Sequence, residues 1–128
     1  VKSSIDIASK LYKVLNVASV TDEITGKVYI NDVPDGDQLE NISVKTLTNP
    51  NRYLQVGYAN LNIYVPEVIS GRANLNRFQD ILAVVLPLVK DNIYDGLSFQ
   101  IDDDKGIFKD KDRDSMYFYN LKLTFQTL

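Results

Sequence analysis

The stretch LQVGYANLNIYV, residues 54–65, decides how this chain is read. Its second half alternates: Leu61, Ile63 and Val65 fall on odd positions, with Asn62 and Tyr64 between them. Period-two alternation marks a strand with one face buried. Its first half alternates in the other phase, with Leu54, Val56 and Tyr58 on even positions. A one-residue slip exchanges the faces of a strand. The pattern therefore predicts either a bulge near Gly57–Asn60, which returns both halves to the core, or two separate strands.

Working outward, Pro66 to Asn74 reads as a loop around Ser70-Gly71. A helix is expected from about Asn76 to Asn92. Phe78, Ile81, Leu82, Val85, Leu86 and Val89 form its apolar stripe, and Asn76 with Gln79 resembles a capping box. Pro87 removes one backbone bond and bends this helix. Tyr94-Asp95-Gly96 is a turn. Leu97, Phe99 and Ile101 then make a strand, Asp102 to Asp114 a charged linker, and Tyr117, Tyr119, Leu121, Leu123 and Phe125 one face of a last strand.

Upstream, Ser4 to about Val17 reads as an amphipathic helix. Ile5, Ala8, Leu11, Tyr12 and Leu15 lie on its stripe, and Ser3 or Ser4 caps it. A turn at Thr21–Gly26, a short strand Val28–Ile30, a loop Asn31–Asn41 and a strand through Ile42, Val44 and Leu47 follow. Thr48-Asn49-Pro50-Asn51 closes that strand as a turn. The order α-β-β-β-α-β-β predicts an α+β fold: a mostly antiparallel twisted sheet with two helices packed on one face. At 128 residues the chain fits a single domain, 1–128.

Composition removes several kinds of chemistry. There is no Cys, so thiolate catalysis and Cys-ligated zinc are excluded. There is no His, so a Ser-His-Asp triad, a His base and His-ligated metals are excluded too. A net charge of −3, from 14 basic and 17 acidic residues, speaks against general nucleic-acid binding. No apolar run is long enough to cross a membrane. No apolar leader follows Val1-Lys2-Ser3-Ser4, and a start at Val1 rather than methionine reads as a trimmed or processed chain. Gly36, Gly71 and Gly106 are isolated, so no phosphate loop or dinucleotide fingerprint is present and no cofactor is expected.

The densest polar cluster is Asp102–Asp114. Asp110, Asp112 and Asp114 alternate like the start of a calcium loop, because alternate carboxylates can wrap a hard cation. The pattern then fails: Ser115 stands where the turn glycine belongs and Leu121 where the bidentate Glu belongs. Asp102 and Asp104 do not read as a catalytic pair of the glycosidase kind, since both sit in a hydrophilic stretch with nothing to desolvate them. The plain reading is a solvated hairpin tip, and the other is a loop that meets a partner. Arg52, Arg72 and Arg77 lie near Tyr53, Tyr58 and Tyr64. These residue types favour interfaces, although packed tyrosines and surface arginines explain them as well.

The segment Tyr58-Ala59-Asn60-Leu61-Asn62-Ile63-Tyr64-Val65-Pro66, with Gly71-Arg72 and the apolar helix Leu75–Val89 behind it, resembles phage tail-terminator and tail-completion proteins. The resemblance spans most of the chain as element order and is most specific over about residues 52–92. It implies a structural role without catalysis, in a virion assembled in the bacterial cytoplasm. The chain would form a homo-oligomeric ring at the end of the tail tube or the head–tail joint, and its partners would be tail-tube or connector proteins, with no specific nucleic acid and no membrane. The contact surfaces it implies are the strand edges and the loops Asn31–Asn41, Pro66–Asn74 and Asp102–Asp114. Candidate interface residues are Asp35, Asp37, Arg72, Asp102, Asp104, Lys109, Lys111 and Arg113. The alternative is a monomeric binding module, secreted or on a surface, that uses the Asp-rich loop with or without calcium.

Overall fold

Ser3 opens the first helix. Its hydroxyl accepts the Asp6 N–H at 3.0 Å, and Asp6 Oδ2 accepts the Ser3 N–H at 3.0 Å, a reciprocal capping box. The structure is a computed structural model, and it describes residues 2–50 and 52–128. Val1 of the expected leaderless start and Asn51 of the expected turn lie outside the described residues. Helix α1 (Ser4–Leu15) buries Ile7, Ala8, Leu11, Val14 and Leu15. The buried stripe is rotated from the expected one, and Ile5 stands 75% exposed. A one-turn helix α2 (Ala18–Thr21) follows where a turn was expected, burying Val20.

Six strands make one sheet: β1 (Val28–Ile30), β2 (Asn41–Thr48), β3 (Val56–Pro66), β4 (Asn92–Tyr94), β5 (Leu97–Lys109) and β6 (Met116–Thr127). Their order is β1-β2-β3-β6-β5-β4. All pairs are antiparallel except β1 with β2, which run parallel. Helix α3 (Leu75–Val89) lies beside α1 on one face of the curled sheet. The core between the layers joins Ile7, Leu11 and Leu15 to Ile42, Val44, Leu61 and Ile63. It continues through Phe78, Ile81 and Val85 to Phe99, Leu121, Leu123 and Phe125. This is the α+β architecture that the element order predicts, with the short α2 and β4 added. Among the described residues, no helix is long and apolar enough to cross a membrane.

Strand β3 corrects the reading of residues 54–65. It has no bulge against β6: the register runs unbroken from Val56↔Gln126 to Pro66↔Met116. The odd positions face the core throughout, beginning with Gly57 and Ala59, while Val56 and Tyr58 point outward. The irregularity lies on the other neighbour, between Thr46 and Thr48 of β2. Gly57 is small because its inward position is already full. A Cβ there would lie 1.9 Å from the Thr48 carbonyl oxygen and 2.7 Å from the Phe125 ring. The apolar residues of the first half are therefore surface residues.

Two further boundaries differ. The stretch Asp102–Lys109 is strand rather than linker, because β6 supplies it with partners out to Lys109↔Tyr117. Two register shifts, between Ile101 and Asp103 and between Asp104 and Gly106, absorb the charged residues while Ile101 and Ile107 stay against the core. Helix α3 starts at Leu75, capped by Asn74 Oδ1 on the Arg77 N–H at 3.3 Å, so Asn76 is not its cap. It continues through Pro87 and stops two residues later. Asp95 and Gly96, at φ 46° and 79°, then join β4 to β5 in the tight turn that an Asp-Gly pair favours.

Candidate assembly surfaces

The hairpin tip between β5 and β6 is docked onto the molecule. Asp110 is buried, and its Oδ1 accepts the Asp112 N–H at 2.9 Å. Its other oxygen lies 3.3 Å from the Arg113 guanidinium. Arg113 in turn donates to the carbonyl oxygens of Val33 at 2.7 Å and Pro34 at 3.2 Å, and sits 5.5 Å above the Tyr64 ring. It fastens the tip to the 31–41 loop across about 80 residues of sequence. Two of the three expected contact loops thus hold each other.

Arg113 and Asp37 are therefore engaged within the chain. Asp37 Oδ1 accepts the Leu39 N–H at 2.9 Å, closing a local turn. That bond first, and the Asn41 side chain second, hold the Asp37 carboxyl below the usual carboxylate range. Asp102 lies 3.9 Å from Lys122, whose ammonium sits 4.2 Å above the Tyr58 ring. Asp104 is exposed beside the Tyr119 hydroxyl, which is pushed up to about 12, first by burial and then by the Asp104 carboxylate. Asp35, Arg72, Lys109 and Lys111 are exposed. The eight candidates belong to the docked loop pair, to β5 and to the turn that carries Arg72, whose first residue Glu67 donates its N–H to the Ser115 carbonyl of the hairpin tip at 2.9 Å.

Arg77 is a structural clamp rather than an interface arginine. Its Nε and one terminal nitrogen grip the two oxygens of the buried Glu40 at 2.8 Å each. The same terminal nitrogen donates to the Glu23 carbonyl at 2.7 Å, and the other reaches the Glu23 carboxylate at 3.2 Å. The Glu40 N–H meets the Thr25 hydroxyl at 2.9 Å. One guanidinium thus ties the start of α3 to the turn after α2 and to the entry of β2.

The sheet face away from the helices carries a polar and aromatic surface. Asn120 on β6 donates to Asn62 Oδ1 at 2.6 Å and Asn60 Oδ1 at 3.2 Å on β3. Its polar group is thereby paired although the residue is only 6% exposed. Phe118 lies between Tyr64 and Phe108, with centroids at 5.7 and 5.5 Å.

Exposed apolar side chains gather at the two ends of β3. Tyr53 is fully exposed before the strand, with Leu54 and Val56 about half exposed beside it. Past its other end, Val68, Ile69 and Leu75 are each more than 60% exposed around Arg72. There a tight turn is held by an Ile69–Arg72 bridge and by Glu67 accepting the Gly71 N–H at 3.1 Å. Eleven strand residues place the two groups about 36 Å apart. The sequence pattern picked out Leu54 and Val56 of the first group but placed them in the core, and Tyr53 lay outside it. Val68 and Ile69 stand next to each other in a loop without periodicity, so no pattern marks them.

Shallow clefts of about 310 Å³ lie beside Tyr53 and beside Ile5, wider hollows of about 490 and 520 Å³ lie beside Arg72 and beside Leu54, and no Asp or Glu side chain lines any of the four. Among the described residues, no three acidic side chains come together to hold a metal ion. Asp110, the first residue of the calcium-like run, is committed to Asp112 and Arg113.

No family model matches this sequence. No curated protein matches it. Its fold, however, is shared with solved structures. A chain from the virion of a native gene transfer agent particle superposes with a TM-score of 0.64 at 13% identity, covering 94% of this chain and 93% of that one. A second solved chain, whose description states no role, superposes with a TM-score of 0.59 at 12% identity over 100% of this chain and 97% of its own. At such identities the likeness is one of fold.

Proposed function

We propose that this chain is a single-domain, non-catalytic structural component of a phage-like particle. In that role it works as a ring of identical copies at the end of the tail tube or at the head–tail joint. The observation that carries this reading is the fold shared, nearly end to end, with a chain of a gene transfer agent virion. The surface supports it. Large apolar side chains are grouped at both ends of β3, and exposed groups of that kind mark contact sites. A subunit between two neighbouring layers needs such a group at each end. The tail tube or connector would supply the partners, and the particle, assembled in the bacterial cytoplasm, would be the location.

A monomeric binding module on the Asp-rich hairpin is the poorer reading, because Asp110 and Arg113 are spent inside the molecule. Light scattering over a concentration series, with and without calcium, separates the two. The ring reading expects a mass several times the 14.5 kDa of one chain, growing with concentration and indifferent to calcium. A monomer at every concentration favours the binding module instead.

A further inference from the structure

Helix α3 turns an apolar stripe toward solvent. Its inner side is Phe78, Ile81, Val85 and Val89. At 3.6 residues per turn the opposite side carries Asn76, Asp80, Ala83, Pro87 and Lys90, and all five are exposed. Leu82, Val84, Leu86 and Leu88 flank the stripe and are half-buried. From Ile81 to Val89 no side chain carries a charge or a hydrogen-bonding group, on any side of the helix. A surface helix ordinarily sets polar residues against water. Here the charges stand only at the two ends of the stripe, an acid at Asp80 and a base at Lys90. Asp80 holds Arg77 loosely, at 3.4 Å, with 59% of its side chain exposed. Lys90 enters none of the ion pairs among the described residues. Just beyond it Asp91, at φ 54°, turns the chain off toward β4.

This pattern is complementary to itself. Two such helices can lie antiparallel about a two-fold axis level with Val85. Asp80 of one copy then meets the partner's Lys90, and Lys90 meets the partner's Asp80. Between them Ala83 meets the partner's Pro87. Both pairings are centred on the same residue and lie on the same face of the helix, so one axis satisfies charge and shape together. Laid parallel, Asp80 would meet Asp80 and Lys90 would meet Lys90. The middle of the stripe is also cheap to cover. Alanine and proline have no rotamers to lose on burial, and their small size lets two helices approach to about 8–10 Å.

We infer that two copies of this chain pair through α3, antiparallel and two-fold, with Ala83 and Pro87 at the centre and Asp80–Lys90 ion pairs at both ends. Such a contact is isologous and closes on itself. It is therefore separate from the contacts that would build a ring, and it does not rest on them. The paired segment, Asp80 to Lys90, is about 16 Å long. A contact of that length buries less than about 1,200 Å² in all, the size of transient interfaces. The pair accordingly forms at high protein concentration, and salt weakens it by screening the two ion pairs.

The absence of cysteine allows a test specific to this contact. In the pair, position 83 lies roughly 10–12 Å from position 83 of the other copy, a span that a short bismaleimide bridges. An Ala83→Cys chain is concentrated and treated with that reagent, and covalent dimers are expected. Adding Lys90→Glu lowers their yield by about fivefold or more, because both end contacts become repulsive, and adding Asp80→Lys as well restores it. All three positions are exposed, so no substitution reaches the core. No covalent dimer at the highest concentration overturns the inference. A yield indifferent to Lys90→Glu, or one that Asp80→Lys does not restore, overturns it too, since the copies then meet in another way. Large particles by light scattering without the cross-link leave the ring standing and remove the pair. A chain that cross-links through position 83 with this charge dependence, yet never exceeds the mass of a dimer, keeps the pair and counts against the ring.

Discussion

Replacing Arg77 by alanine removes the clamp that joins three parts of the chain. The cost follows from what stays behind. Glu40 keeps a buried carboxylate, 8% exposed at the side chain, and loses two bonds of 2.8 Å. Its remaining donor on the side chain is the Thr25 N–H at 3.3 Å. Breaking a buried ion pair on one side costs roughly 3–5 kcal/mol. Arg77 is itself 29% exposed, so water reaches the gap and the loss falls at or just under the lower end, about 2–3 kcal/mol. The contacts to the Glu23 and Asp80 carboxylates are more open, at 33% and 59%, and add little. For a chain of this size that loss lowers Tm by roughly 10 °C. Urea denaturation at low protein concentration, where association does not add stability, measures it. The double variant Arg77→Met with Glu40→Leu tests the cause. It should recover at least half of the loss, because no charge is left buried. A loss below about 1 kcal/mol for the single variant, or a double variant no better than it, would refute the reasoning.

Gly57→Ala should destabilise by about 2–3 kcal/mol in the same assay, since its Cβ would strike the Thr48 backbone and Phe125; a neutral result would mean that β3 sits further from β2 than described. Arg113→Ala should raise hydrogen-exchange rates at the amides of residues 35–39 by roughly tenfold and leave the central amides of β3 unchanged, because it releases the 31–41 loop from the hairpin tip. Tyr119 titrates at about 12 when folded against a usual value of 10.0, so its neutral form contributes stability that is complete below pH 10 and fades as pH rises toward 12. Tyr119→Phe should flatten that alkaline branch of the pH–stability curve. Asp37, held below its usual 3.8, has the opposite sign: its contribution is present above that value and is lost as pH falls through the depressed one, a branch that Asp37→Asn should weaken.

Where physics is local, the residues alone were enough. The serine cap of α1, read as Ser3 or Ser4 and found at Ser3, the period of Leu61, Ile63 and Val65, and the Asp95-Gly96 turn all depend on neighbours a few positions away, and their elements stand where the pattern puts them. The α+β class followed from the order of those elements. Tertiary structure decided what neighbours cannot. Periodicity says that a strand has two faces but not which is covered, and it was Phe125 across the sheet that claimed the inward position at Gly57 and sent Val56 and Tyr58 to the surface. β6, not local propensity, drew Asp102–Lys109 into a strand. Arg113 and Arg77 look alike as charged surface residues in the sequence. Only the fold brings Arg113 to the carbonyls of Val33 and Pro34 and Arg77 to Glu40, because the energy of a buried guanidinium depends on acceptors tens of residues away.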